Sequence, residues 1–231
     1  MSVLVEGLRQ ALGLLVGGDV EIWSILWLSL LVSGSATLVA LLMGIPLGVL
    51  LALNRFPGRR LVVSAVNTGM GLPPVVVGLF VSILLWRSGP FGDLEILYTP
   101  AAIVIAQAVI ASPIVTGITL AAVQHVPEAF RLQLLGLGAS RTQMVWVVLR
   151  EARLPMLAAV MAGFGGVISE IGASMMVGGN IKGQTRTLTT AMVLETNKGN
   201  FDIAIALAIL LLVLVFAVSW ALTSIQQRRA S

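Results

Sequence analysis

Residues 168–188 read ISEIGASMMVGGNIKGQTRTL. The stretch begins inside a long apolar run and carries one acid there, Glu170. It leaves the run through Gly178-Gly179-Asn180 and turns polar at Lys182, Gln184, Thr185, Arg186 and Thr187. An ionisable side chain within apolar sequence of membrane length costs about 3 kcal/mol to insert, so such residues face a protein interior or a water-filled path. The pattern predicts a helix that ends at a membrane surface, beside something aqueous.

The rest of the chain supports a membrane setting. Of 231 residues, 58% are hydrophobic and 10% charged, and the mean hydropathy is +1.01. A soluble domain carries about 25% charged residues to cover its surface, so a soluble monomer is excluded. The sequence has no cysteine and one histidine, His125. Disulfides, thiolate metal sites and histidine clusters are therefore excluded, and no metal site is expected.

Five apolar runs stand out, at 22–53, 61–86, 101–123, 154–177 and 203–222. About 20 helical residues cross a hydrocarbon core of roughly 30 Å, and no run alternates as barrel strands do. The expectation is an all-α polytopic membrane protein with about five spans, forming one domain over 22–225. Pro46 is a candidate bend in the first run, Pro73-Pro74 interrupts the second, Pro113 lies in the third and Glu170 in the fourth. Residues 1–21 read as an N-terminal interfacial segment. Within them Val3, Leu4, Leu8, Leu12 and Leu15 recur near helical spacing, without the basic start of a signal peptide. Residues 226–231 read as a cytoplasmic tail.

Basic residues set the orientation. Arg55, Arg59, Arg60, Arg131, Arg141, Arg150, Arg153, Arg228 and Arg229 fall on one side of a five-span arrangement. Arg9, Arg87, Lys182, Arg186 and Lys198 fall on the other, among seven acids. Basic loops stay in the cytoplasm, so the N-terminus is expected outside and the C-terminus inside. Trp23, Trp27, Trp86 and Trp220 lie at run ends, where interfacial anchors sit. Gly44 and Gly48 have the spacing of a helix-packing pair, which fits either dimerisation or packing within the chain.

The largest inner segment is the loop 124–153, QHVPEAFRLQLLGLGASRTQMVWVVLREAR. Gly138 is placed to end one helix and Ser140 to cap the next. Small residues around them would let a partner approach closely. Among residues able to hold an anion by hydroxyl or amide groups, Ser112, Thr116, Asn67, Thr68 and Asn180 lie in or at the ends of the runs. Each reads in the first place as a packing residue whose polar group bonds across helices. Lys182 and Arg186, expected outside, would draw an anion or an acidic partner, or stand solvated.

Glu128-Ala129 followed by Leu137-Gly138-Ala139-Ser140-Arg141 resembles the coupling loop of the permease subunits of type I ATP-binding-cassette importers. Leu72-Pro73-Pro74-Val75-Val76-Val77-Gly78, Gly89-Pro90-Phe91-Gly92 and Ser112-Pro113 are similar to segments of the oxyanion permeases. Ser169-Glu170-Ile171-Gly172-Ala173, with Gly179-Asn180-Ile181, Thr185 and Thr187, resembles the molybdate and tungstate branch, most of all the tungstate permeases. The resemblance covers about residues 20–225.

The resemblance implies a permease subunit of an ATP-driven oxyanion importer in the bacterial or archaeal cell membrane. Tungstate is the expected solute, with molybdate, sulfate or another solute as alternatives. It implies a second copy of the chain, two cytoplasmic ATPase subunits and an extracytoplasmic oxyanion-binding protein. Glu128, Ala129, Leu137, Gly138, Ala139, Ser140 and Arg141 would couple to the ATPase. Ser169, Glu170, Gly172, Asn180, Ser112 and Thr116 are the candidates for gate and path. The chain has no phosphate-binding loop and no Ser-His-Asp set, so it is expected to be no enzyme and to carry no cofactor; ATP would be bound by the partner. A stand-alone secondary transporter would show an internal repeat of spans, and none is visible.

Overall fold

In the computed structural model, the described residues are 9, 13 and 20–228, and every regular element among them is helical. The expected interfacial segment at the N-terminus lies mostly outside the described residues. In chain order the helices are α1 (Val20–Leu53), α2 (Arg59–Met70), α3 (Pro74–Leu85), α4 (Pro100–Gln124), α5 (Glu128–Gly136), α6 (Arg141–Glu151), α7 (Arg153–Ile168), α8 (Gly172–Gly178), α9 (Leu188–Asn197) and α10 (Phe201–Arg228). A 3-10 turn at Gly92–Leu94 lies between α3 and α4.

Three helices, α1, α4 and α10, are long and apolar enough to cross a membrane alone. The second and fourth apolar runs are broken instead. Helices α2 and α3 meet at 103°, and α7 and α8 at 59°, so the count reaches five if each bent pair is one span. Single prolines do not break this chain: α1 continues through Pro46 and α4 through Pro113. Two in succession do. Pro74 forces the residue before it out of helical geometry, and Pro73 is extended at φ −61°, ψ 124°. The last helix runs to Arg228, through residues read as a tail.

Helix α4 is the centre of the bundle. Its Ala111 and Val115 pack with Ala40 of α1 and with Ala159 and Val167 of α7. Near the opposite end, Ile103 and Ala106 meet Val32 of α1, Val77 of α3 and Val177 of α8. The approach of α1 to α4 depends on glycine. A Cβ on Gly44 would lie 2.8 Å from Val115 Cγ1, and one on Gly48 would lie 2.8 Å from the Thr116 carbonyl oxygen. The Gly44 and Gly48 pair therefore packs within the chain. Large apolar side chains such as Leu42, Phe80, Leu212 and Phe216 point outward, each more than half exposed. Water would not support such a surface; lipid or a second chain would.

Candidate functional site

Two regions gather the sequence-predicted residues. The first is the corner between α5 and α6. Helix α5 ends at Gly136, Gly138 takes φ +87°, and Ser140 starts α6. The left-handed backbone at Gly138 favours glycine, which has no Cβ to clash. The Ser140 hydroxyl accepts from the Gln143 N–H, and the Gln143 side chain accepts from the Ser140 N–H, a reciprocal capping box. Glu128 and Ala129 start α5 on an exposed turn. Leu137 is 78% exposed at the apex, and Ala139 is half-buried between exposed Gly138 and Ser140. This is a rigid corner with an apolar, small-residue tip and Arg141 beside it. A surface of this kind can seat in a cleft of another protein.

The second region is the joint between α7 and α8. The Ser169 hydroxyl donates to the Gly165 and Gly166 carbonyls, ending α7. Glu170 is 9% exposed, and its Oε1 accepts from the Ala173 N–H at 2.9 Å. The carboxyl group thus caps α8, the next helix of its own chain segment. The Thr189 hydroxyl, from α9, donates to the Glu170 carbonyl at 3.0 Å. Gly172 lies against α3, where an added Cβ would meet Val75 Cγ2 at 2.6 Å. The Gln107 amide of α4 donates to the Val167 carbonyl at 3.0 Å and to the Ser174 hydroxyl at 3.2 Å.

Beyond α8 the chain is strapped down. The Val177 carbonyl accepts from the Tyr98 N–H at 2.8 Å. Gly179 at φ +70° packs on the Tyr98 ring. Thr185, 1% exposed, donates through its hydroxyl to the Gly178 carbonyl and accepts from the Ile181 N–H. Asn180 donates to the Thr190 carbonyl at 3.3 Å. Lys182 and Arg186, read as drawing an anion or an acidic partner or as standing solvated, reach Glu21 at 2.7 and 3.5 Å. They tie the start of α1 to this loop. Helix α9 docks on α1 through the Leu188 N–H, which donates to the Ser29 hydroxyl at 2.9 Å.

Ser112 and Thr116 are not brought to Glu170. They lie about 7 and 13 Å along α4 from Gln107 at helical rise, and their hydroxyls donate to Ala108 and Ser112 carbonyls of their own helix. Both line a groove of about 490 Å³ with apolar walls that include Val39, Met43 and Val62. Asn67 and Thr68 are exposed on α2. Sequence reading missed Gln107, although it is the one amide in the run 101–123. It also missed α9, whose start is signalled by Thr187 and Thr190 in reciprocal capping.

The described residues thus form a bundle of long apolar helices with two bent helix pairs, a polar joint in one of them and an exposed capped corner. The chain belongs to the family described as binding-protein-dependent transport system inner membrane components, which it matches over residues 44–231. It is 38% identical to the tungstate uptake system permease protein TupB of Peptoclostridium acidaminophilum over 98% of this chain and 100% of that one. It is 34% identical to the TupB of Campylobacter jejuni over 95% and 92%, and 29% identical to the molybdenum transport system permease protein ModB of Escherichia coli K12 over 90% and 96%. The fold matches a chain of the inward-facing MetNI methionine ABC transporter with a TM-score of 0.75, at 22% identity, over 91% of this chain and 98% of that one. The architecture is thus that of an ABC importer permease in a multi-pass membrane protein.

Proposed function

We propose that the chain is the permease subunit of an ATP-driven tungstate importer, forming the translocation path and coupling it to a separate ATPase. The observation that carries this reading is likeness to two tungstate uptake permeases over nearly the whole chain, at 38% and 34% identity, against 29% for a molybdenum permease. Two copies pair around a central path, each docked on a cytoplasmic ATPase subunit that binds the ATP. An extracytoplasmic oxyanion-binding protein delivers the anion.

The N-terminus lies outside and the C-terminus inside. The ties from Glu21 to Lys182 and Arg186 support a common side for the start of α1 and the loop after α8. The rigid corner at Leu137–Arg141, with Glu128 and Ala129 on the preceding helix, is the coupling element. Ser169, Glu170 and Gly172 sit at the joint that interrupts the fourth span, and Asn180 ties the loop beyond α8 to α9; together they form the outer gate. Ser112 and Thr116 line an apolar groove further in; their hydroxyls donate to carbonyls of their own helix, and each would turn from that carbonyl to donate to a passing anion.

The test is ATP hydrolysis by the reconstituted permease, ATPase and binding protein. Tungstate should stimulate it, and sulfate at the same concentration should not. Stimulation by molybdate alone would move the chain to the molybdate branch. Stimulation by an amino acid or a sugar, with oxyanions inert, would overturn the reading.

A further inference from the structure

We propose that Gln107 is a positioning residue that sets the angle between α7 and α8, and through it the state of the outer gate. The proposal rests on the gate reading above and adds the part that holds the gate.

Helix α7 ends at Ile168 and α8 begins at Gly172. No continuous ladder of helical hydrogen bonds spans the break, so the 59° between the two halves depends on the contacts made around it. Glu170 caps α8 from within the joint, and Thr189 holds the Glu170 carbonyl. Neither touches both helices from outside. Gln107 does: one amide nitrogen donates to Val167 in the last turn of α7 and to Ser174 in the first turns of α8. The side chain comes from the central helix and is 2% exposed, and Ser174 is 1% exposed.

The orientation of the amide follows from its partners. The Val167 carbonyl only accepts, so the NH2 group must face it. The Gln107 oxygen is then left buried with no hydrogen-bond partner. A buried polar atom without a protein partner is uncommon, and it leaves this oxygen open to a donor. A shift of α8 that let the Ser174 hydroxyl donate to that oxygen, instead of accepting from the nitrogen, would satisfy it. Such a shift would give the joint a second bonding arrangement built from the same two side chains.

Helix α8 would not move alone. It is locked to α3, since a Cβ on Gly78 would lie 2.7 Å from Ala173 Cα and one on Gly172 would lie 2.6 Å from Val75 Cγ2. Helix α3 is itself set off from α2 by the break at Pro73. The outer halves of both broken spans therefore form one unit, which meets the central helix through the apolar contacts of Ile103 and Ala106 and through the polar tie of Gln107.

The test uses the cysteine-free chain in its assembled complex in lipid nanodiscs. Spin labels on Ala158→Cys of α7 and Met175→Cys of α8, with labelled permease diluted by unlabelled, report the joint by electron–electron distance. Gln107→Leu should broaden or shift the distance distribution and cut substrate-stimulated ATP hydrolysis by about threefold to tenfold, the factor one or two hydrogen bonds carry. Ser174→Ala removes only the α8 side of the bridge and should change the distribution in the same direction, less strongly, while Ser174→Thr restores it. Should Gln107→Leu fail to assemble, Ser174→Ala and Ser174→Thr decide. Unchanged distances in an assembled Gln107→Leu complex, or in Ser174→Ala, overturn the proposal. The distance readout needs no substrate, so it judges the joint even where tungstate fails to stimulate hydrolysis and the transport reading falls.

Discussion

The packing of α1 on α4 gives the sharpest stability contrast, between Gly48→Ala and Gly34→Ala in the same helix. A Cβ at position 48 would lie 2.8 Å from the Thr116 carbonyl oxygen and 2.8 Å from Thr119 Cβ. Contact of carbon atoms is comfortable at about 3.5–4.0 Å, so the helices must part by the order of 1 Å. Neither neighbour is the end of a flexible side chain, and overpacking of this kind costs about 1–3 kcal/mol. Alanine gains about 1 kcal/mol over glycine in a helix, which leaves Gly48→Ala destabilised by about 1 kcal/mol. At Gly34 an added Cβ meets nothing within 4 Å, so Gly34→Ala keeps the whole gain of about 1 kcal/mol. The contrast of about 2 kcal/mol corresponds to about 4–8 °C in melting temperature for a chain of this size. Thermal unfolding of both variants in the same detergent, followed by tryptophan fluorescence, measures it. Gly48→Ala melting at or above Gly34→Ala would refute the close approach of α1 to α4.

Other expectations follow from the two candidate regions. Ala139→Glu should fold but lose co-purification with the ATPase, because a charge would be desolvated in a close contact at several kcal/mol; pull-down of the partner measures this. Glu170→Gln keeps an oxygen for the Ala173 N–H and should assemble normally while altering transport. Glu170→Ala should lose the cap and about 1 kcal/mol of thermal stability. Thr185→Val should destabilise by about 1–3 kcal/mol, read by melting temperature, since the Ile181 N–H and the Gly178 carbonyl both lose their side-chain partner. Hydrogen bonds from Asn200 and Lys198 hold the Glu195 carboxyl below its usual range. Its contribution is therefore fully present above the ordinary carboxylate pKa and is lost as pH falls through the lowered one. Glu195→Gln should flatten that acid limb of the stability profile.

The helical class and the five apolar runs were legible because membrane spans are written in uninterrupted hydropathy. The turn at Gly138 and the cap at Ser140 were legible because each rests on a local backbone need. The two breaks were only half legible. Pro73-Pro74 announces an interruption, but the 103° angle depends both on α2 packing against α1 and α4 through Val66 and on α3 packing on α8 through Gly78 and Gly172. At Glu170 no proline or positive φ marks the break; side chains of Ser169 and Glu170 compete with the helical ladder for its backbone groups. Gln107 and Thr189 act across 60 and 19 residues of sequence, a distance that no local pattern encodes. Lys182 and Arg186 read as drawing an anion or an acidic partner or as standing solvated because their partner, Glu21, is far away in the chain and adjacent only in the fold.

Transport itself tests the central claim most directly. Proteoliposomes containing the permease with its ATPase and oxyanion-binding protein should move tungstate across the membrane only when ATP is supplied on the ATPase side. The account predicts ATP-dependent tungstate movement, abolished when the permease is omitted and strongly reduced by Ala139→Glu. Equal movement of tungstate without ATP, or none with every component present while another solute is carried, would contradict it.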